Sequence, residues 1–283
     1  MSESQGPTVR RRIVASELKR LRAEADLRQQ VVADAVELDQ SALSRYEQAK
    51  SSMTVHVAEK LFSYYGVGGE QLEWMLELVR GSRKRGWLKD FTGVVPNWFE
   101  GFVALERDAS KLYELAIHVV PGAFQTEAYA HAIMKSGLST TNLDEAVQAR
   151  MKRSKVFQRE HPPEYWAVIC ESALRCVVGS PKVMADQLHH LIDMSKTPNI
   201  TIQVLPNSAG AHPSMVCPFL LLRFDLAPHY GVVYMDYLSG SIYRDDPQEV
   251  DLYDTALRHL IKAALPETSS RTMMANIAKE LHK

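Results

Sequence analysis

Residues 27–50, LRQQVVADAVELDQSALSRYEQAK, leave this chain few ways to fold. Leu27, Val31 or Val32, and Ala35 or Val36 recur at helical spacing, so Gln29 to Val36 can bury one face. A second helix fits Gln40 to Gln48, with Leu43 and Tyr46 turned inward. Asp39 stands where an N-cap carboxylate would accept the first free amide hydrogens. Glu37 and Leu38 form the corner, Leu38 as its plug, and Ala33 is small where the two helices approach.

The outward residues of the second helix carry the chemistry. Gln40, Ser41, Ser44 and Arg45 fall on its exposed face, at or near its N-terminal end. Gln and Arg make bidentate contacts to adenine and guanine edges in the major groove, where a helix-turn-helix inserts the start of its second helix. An ordinary helical hairpin with a solvated polar face has the same spacing. Charge distribution bears on the choice. The net charge of −1 does not suit a whole-chain polyanion binder. Residues 1–22, however, hold six basic side chains (Arg10, Arg11, Arg12, Lys19, Arg20, Arg22) against Glu3 and Glu17. Arg10, Arg11, Arg12 and Lys19 are therefore candidate phosphate contacts; an exposed helix start without a partner would carry the same charges.

The stretch closely resembles the lambda-repressor-like (Xre-type) helix-turn-helix, whose run reads roughly Leu-Ser-Gln-x-x-Leu-Ala, a turn, then x-x-Ser-x-Ile-Ser-Arg-x-Glu. Leu27, Gln29, Val32, Ala33, Ser41, Leu43, Ser44, Arg45 and Glu47 occupy the matching positions. Asp26, Glu37 and Ala49 stand where that family commonly has glycine, and a glycine relieves strain wherever φ is positive. The resemblance implies that Gln29 lies against a phosphate and that Gln40, Ser41, Ser44 and Arg45 face base edges.

Around this motif the spacing predicts helices at about Arg12–Glu24, from Thr54 (its cap) to a stop at Gly66, and at about Gly69–Val79. Residues 1–9 read as disordered. Residues 81–100 read as a linker, broken by Gly81, Gly86, Gly93 and Pro96. It carries a basic cluster (Arg83, Lys84, Arg85, Lys89) and four aromatics, Trp87, Phe91, Trp98 and Phe99, expected to dock on the second domain. Further helices are expected at about Val103–Ile117, Thr126–Ser136, Asn142–Glu160, Pro181–Ser195, Pro247–Ala264 and Glu267–Leu281. Strands are expected at Tyr165–Cys170, Ile200–Leu205, Phe219–Asp225 and Val232–Leu238. The fold class is then mainly α. A five-helix lambda-repressor-like domain (1–80) and a linker (81–100) precede an α+β domain (101–283) with a small sheet of about four strands.

Five segments of that second domain carry a further resemblance: VVPGAFQTEAYAHAI (119–133), AVQARMKRSKVF (146–157), YWAVICESALRCVVGSPKVMADQL (165–188), ITIQVLPNSAGAHPSM (200–215), and FLLLRF followed by VVYMDYLSGSIY. They resemble, in order, the C-terminal domain of actinobacterial WhiJ-like regulators of development and antibiotic production. Such regulators are often encoded beside a very small partner protein, in an arrangement like a toxin–antitoxin pair. The resemblance supplies no catalytic residues.

Other chemistry finds little footing. No apolar run approaches the roughly 18 residues of a membrane span, and MSESQGPTVRRR lacks the apolar core of a signal peptide. Cys170, Cys176 and Cys217 read as reduced, buried thiols of a cytoplasmic protein. His212 near Cys217 lacks a nucleophile elbow, so no enzymatic role is expected. His189 and His190 are adjacent and cannot form the i, i+4 pair of a helical zinc site, so neither metal nor cofactor is expected. Two candidates remain for a partner or ligand. One is the loop 206–218, with Asn207, His212 and Ser214; the other is the helix face bearing Arg150 and Arg153, which an acidic partner or plain solvent could cover. The expected protein is a cytoplasmic regulator, nucleoid-associated when bound. It is a homodimer on an inverted-repeat DNA operator, modulated through its C-terminal domain by a small neighbour-encoded protein or a small-molecule effector. An antitoxin-like protein restraining its neighbour and a small-molecule-gated repressor are the alternatives.

Overall fold

A left-handed residue follows each of the first four helices of the chain. The N-terminal helices are α1 (Val9–Glu24), α2 (Gln29–Ala35), α3 (Gln40–Glu47), α4 (Val55–Tyr64) and α5 (Gly69–Gly81). After α1 to α4 the chain reverses through Asp26 (φ 52°), Glu37 (φ 59°), Ala49 (φ 56°) and Gly66 (φ 77°). In each case the following amide closes a six-residue loop: Leu27 N–H on Arg22 O at 3.1 Å, Leu38 on Ala33 at 2.9 Å, Lys50 on Arg45 at 2.9 Å, Val67 on Phe62 at 3.0 Å. These are Schellman caps, and only the last has the residue type that adopts this backbone without strain. At the other helix ends, Thr54 Oγ1 accepts the Val57 N–H at 3.2 Å, as its sequence position predicts. Asp39 does not act as predicted. It occupies the N-cap of α3 with extended backbone, but its carboxylate makes no cap hydrogen bond. The side chain is exposed, where water satisfies it, and only its main-chain oxygen receives the Ala42 and Leu43 amides.

The structure, a computed structural model, describes residues 9–81, 97–137, 142–225, 227–238 and 240–281. The expectations for residues 1–8, for the basic cluster 83–89 and for Trp87 and Phe91 lie outside them, as do the side chains of Trp98 and Phe99. The chain divides into two compact units, the first holding the N-terminal helices together with residues 225–230 and the second most of a sheet. In the first, Ile13, Leu18, Val32, Leu43, Leu61, Phe62 and Met75 are fully buried. Of the alternatives within α2 and its end, Val32 and Val36 face inward while Val31 and Ala35 are exposed. Full burial of each leucine stabilises by about 2 kcal/mol, enough to hold helices too short to persist alone.

After the N-terminal helices the chain runs α6 (Asn97–Asp108), β1 (Lys111–Ala116), α7 (Glu127–Lys135), α8 (Leu143–Ser154), β2 (Glu164–Cys170), α9 (Glu171–Arg175), α10 (Pro181–Met194), β3 (Ile200–Leu205), β4 (Phe219–Phe224), β5 (Ala227–Tyr237), β6 (Gly240–Arg244), α11 (Pro247–Ala263) and α12 (Glu267–Glu280). The molecule is mainly helical with a mixed sheet of order β3-β2-β1-β4-β5-β6, and α6 starts inside the stretch read as linker. The sheet has six strands where about four were expected. β6 is short and carries Gly240 and Arg244, a weak strand signal. β1 was expected to be the end of a helix, because its Leu, Glu and Ala favour helix locally. It is instead central, pairing in parallel with β2 (Leu112 with Tyr165) and antiparallel with β4 (Leu112 with Leu222). Two complete rows of ladder hydrogen bonds override the local preference.

Strand alternation assigns the two sheet faces. Leu115, Val168, Leu205, Phe219, Leu221 and Val233 pack against Val250, Leu257 and Leu260 of α11. On the opposite face the Phe102 ring of α6 lies 4.3 Å from the Tyr234 ring of β5, and Phe124 lies 4.7 Å from Tyr165 of β2. Gln187 of α10, fully buried, pins the turn at Phe124: its Oε1 accepts the Thr126 N–H at 2.7 Å and its Nε2 donates to Phe124 O at 2.8 Å. All three cysteines are free, but only Cys170 is buried; Cys217 is half-buried, and Cys176 is exposed because it follows the last turn of α9. Among the described residues no helix is long and apolar enough to cross a membrane.

Candidate nucleic-acid interface

One carboxylate holds the two motif helices on their scaffold. Glu47, at the end of α3, is buried. It accepts Arg22 Nε at 2.7 Å, Arg22 Nη2 at 2.9 Å and Gln29 Nε2 at 2.8 Å. Arg22 also donates through Nη1 to Leu27 O at 3.0 Å. The bidentate pair ties α1 to α3 and the Gln29 bond adds α2, and the hydrogen bonds of the pair raise the Arg22 guanidinium above the ordinary arginine range. Burial first, then the charge of Glu47, pushes the Tyr65 phenol up to about 12. Sequence reading placed Glu47 in the motif but could not name its partner, which lies 25 residues upstream.

With Leu43 and Glu47 buried, the opposite face of α3 is turned outward. Gln40, Ser41 and Arg45 are exposed, and among the described residues their side chains make no hydrogen bond or ion pair. Ser44 is half-buried and accepts Gln48 Nε2 at 2.9 Å, which leaves its own hydroxyl hydrogen available to donate. Gln29 spends one amide hydrogen on Glu47 and keeps the second. Lys19 is exposed and Arg10, Arg11 and Arg12 are half-buried on the first turns of α1. Two further cations were not singled out from sequence. Arg28 immediately precedes α2 and Lys50 follows the α3 cap, both exposed and without an ion pair among the described residues. Their position beside the motif helices was the available signal. At the corner, Glu37 pairs with Lys60 at 2.9 Å in full solvent, and that hydrogen bond lowers the Glu37 carboxyl.

This arrangement is matched by comparison with known families. A family model described as a helix-turn-helix domain matches residues 13–75. It points to a DNA-binding regulator. A second, described as a domain of unknown function, DUF5753, matches residues 99–276, well over half of the chain. The chain belongs to the DUF5753 family. Neither the curated proteins nor the solved structures give a match.

Within the DUF5753 domain the three loop candidates do not converge. Asn207 opens a single 3-10 turn and donates its main-chain N–H to Glu171 Oε2 at 2.9 Å. Ser214 is buried, its hydroxyl on Cys217 O at 2.6 Å. His212 is half-buried with Nδ1 unpartnered among the described residues. The α8 face also differs from the solvated one that spacing suggested. Glu145, Gln148 and Lys152 are exposed, but Arg153 is buried and grips Glu106 of α6 with Nε and Nη2, each at 2.9 Å. Its guanidinium lies 4.9 Å from the Phe102 ring centroid. Arg150 is turned inward as well, its Nη1 on Gln125 Oε1 at 2.7 Å. A planar guanidinium can be buried where a carboxylate meets it bidentately, and sequence could not show that Glu106 is that carboxylate.

Proposed function

We propose that this DUF5753 protein is a sequence-specific DNA-binding transcriptional regulator of the Xre type and not an enzyme. In this reading residues 1–80 bind DNA, residues 81–100 link, and residues 101–283 form the domain through which activity is modulated. The observation that carries the reading is the exposed, uncommitted side chains of Gln40, Ser41 and Arg45 on a helix fixed from behind by Leu43 and Glu47. Gln40, Ser41, Ser44 and Arg45 read base edges; Gln29, Lys19, Arg10, Arg11 and Arg12 contact phosphates, joined by Arg28 and Lys50. Two copies dock on an inverted repeat, their recognition helices one helical turn or a multiple apart. The sequence resemblance to actinobacterial WhiJ-like regulators favours control of development or secondary metabolism, in the cytoplasm and on the nucleoid. It also favours a small neighbour-encoded protein as the modulating partner, with an antitoxin-like role as the limiting case.

Mapping of bound DNA across the genome of origin, with and without the adjacent small protein, tests this. A recurrent inverted-repeat site is the expected result, and uniform sequence-blind occupancy refutes it. Loss of the site on adding the small protein supports the partner reading. A second reading, a repressor gated by a small molecule, is favoured by a cavity in the DUF5753 domain.

A further inference from the structure

Between the α6–α8 side of the sheet and the turn at Gly122 lies a cavity of about 200 Å³, room for about six or seven waters. Its rim includes His118, Val119 and Asp236, all exposed, so it opens to solvent. Its wall sets several ionisable side chains among apolar ones. Glu106 and Arg153 neutralise each other there. Arg150 does not have such a partner: its one hydrogen bond among the described residues is to the neutral Gln125 amide, which leaves most of its five N–H donors without an anion. Glu114 of β1 lines the same space and accepts a hydrogen bond from the Tyr165 hydroxyl. The Tyr234 hydroxyl, on a side chain 6% exposed, makes no hydrogen bond of normal geometry, and neither does the Ser241 hydroxyl. Burying a guanidinium whose nearby carboxylates make no direct ion pair with it, and a phenol without a well-made hydrogen bond, costs stability that a purely structural site would have been free to avoid.

The charges of the wall restrict what can complete it. Arg150 calls for a carboxylate-like acceptor. A polyanion is disfavoured, because the carboxyls of Glu114 and Asp236 line the same space without, among the described residues, a cationic partner in direct contact. A cation alone leaves Arg150 unanswered. Both demands are met by a molecule of low net charge carrying one carboxylate and one ammonium. We propose that this cavity binds a small zwitterion of the amino-acid class, its carboxylate on Arg150, its ammonium toward Glu114 and Asp236, and the Tyr234 hydroxyl completing the polar contacts. Burial raises the Glu114 carboxyl to about 7, so an ammonium arriving beside it draws the proton off. That this occupancy alters operator binding rests on the regulator reading above; the occupancy itself does not.

The test is thermal melting and titration calorimetry on the full chain. The probes are the standard L-amino acids, β-alanine and γ-aminobutyrate, each compared with its N-acetyl derivative and its carboxamide. At least one zwitterion should raise the melting temperature in a concentration-dependent way and bind at least about tenfold more tightly than either single-charge derivative. Arg150→Gln should abolish that binding. Tyr234→Phe removes a hydroxyl that makes no hydrogen bond of normal geometry, so it should change the free protein's melting temperature little and weaken binding by about three- to tenfold. The proposal is overturned if no zwitterion shifts the melting curve, if the derivatives bind as well as the parent, or if Arg150→Gln binds like the unaltered chain. Duplex binding on the same samples separates the two readings. A chain that binds its operator and ignores every probe loses the cavity site alone, and one that binds a zwitterion but no duplex loses the regulator reading alone.

Discussion

Asp26, Glu37 and Ala49 carry the least expected local geometry in the molecule, each with positive φ at a helix end. For L-residues this backbone costs roughly 1–2 kcal/mol, less for aspartate, whose short polar side chain eases it. Glu37 projects into solvent, and its ion pair with Lys60 is too exposed to compensate. Glu37→Gly should therefore raise the melting temperature by about 2–4 °C; a fall would mean that the corner is not strained. Ala49 differs because its side chain is 5% exposed. Removing that methyl loses about 0.8 kcal/mol of burial, which offsets the relieved strain, so Ala49→Gly should leave urea stability nearly unchanged. The Glu47 clamp supplies the opposite case. Arg22→Ala strands a buried carboxylate and should cost about 3 kcal/mol, whereas Gln29→Ala removes one hydrogen bond and should cost about 1 kcal/mol. Equal losses in denaturant titrations would show that Glu47 is not held mainly by Arg22.

At the scale of elements, α3 is defined by what its two faces do. Its base-facing and phosphate-facing residues separate by experiment. Arg45→Ala should cost roughly 1–3 kcal/mol of operator affinity and relax specificity at one base pair. Lys19→Ala should weaken binding to every duplex and reduce the slope of log affinity against log salt by about one. An Arg45→Ala chain with unaltered footprint and affinity would remove α3 from the interface. Most elements were legible beforehand: α2, α3, α10 and α11 begin at the residues that the spacing, proline and cap signals predict. β1 was not legible. Lys111–Ala116 has helical residues at helical spacing, and only its two partner strands, one more than 40 residues later and the other more than 100, decide otherwise. Nothing local records those pairings.

For the whole molecule, the burial of Glu114 makes stability depend on pH. Its carboxyl moves from an ordinary 4.5 to about 7, burial being the first cause; the Tyr165 hydrogen bond and Arg153 oppose the shift, while Asp236 and Glu106 add to it. The folded value lies above the unfolded one, so this group supports the fold fully below about 4.5, and its support is lost as pH rises through about 7. The loss is on the order of 3 kcal/mol at most. Glu114→Gln should remove it, so that the variant gains on the unaltered chain as melting is followed from about pH 5 to pH 8; parallel curves would show that Glu114 is ionised throughout. Arg153 illustrates the limit of sequence reading at this scale. On its helix it sits among Glu145, Gln148 and Lys152 and reads as one more solvated charge, yet it is buried. What the chain's order of residues determined by itself was local: helix faces, caps, stops, and the polar stripe Gln40, Ser41, Ser44 and Arg45, because these depend on spacing within one or two turns. Only the tertiary structure decided which charges meet. Arg22 with Glu47, Arg153 with Glu106, and Arg150 facing an open cavity are pairings across 25, 47 and more residues or across space. Their energy comes from exclusion of water, which no single stretch of sequence contains.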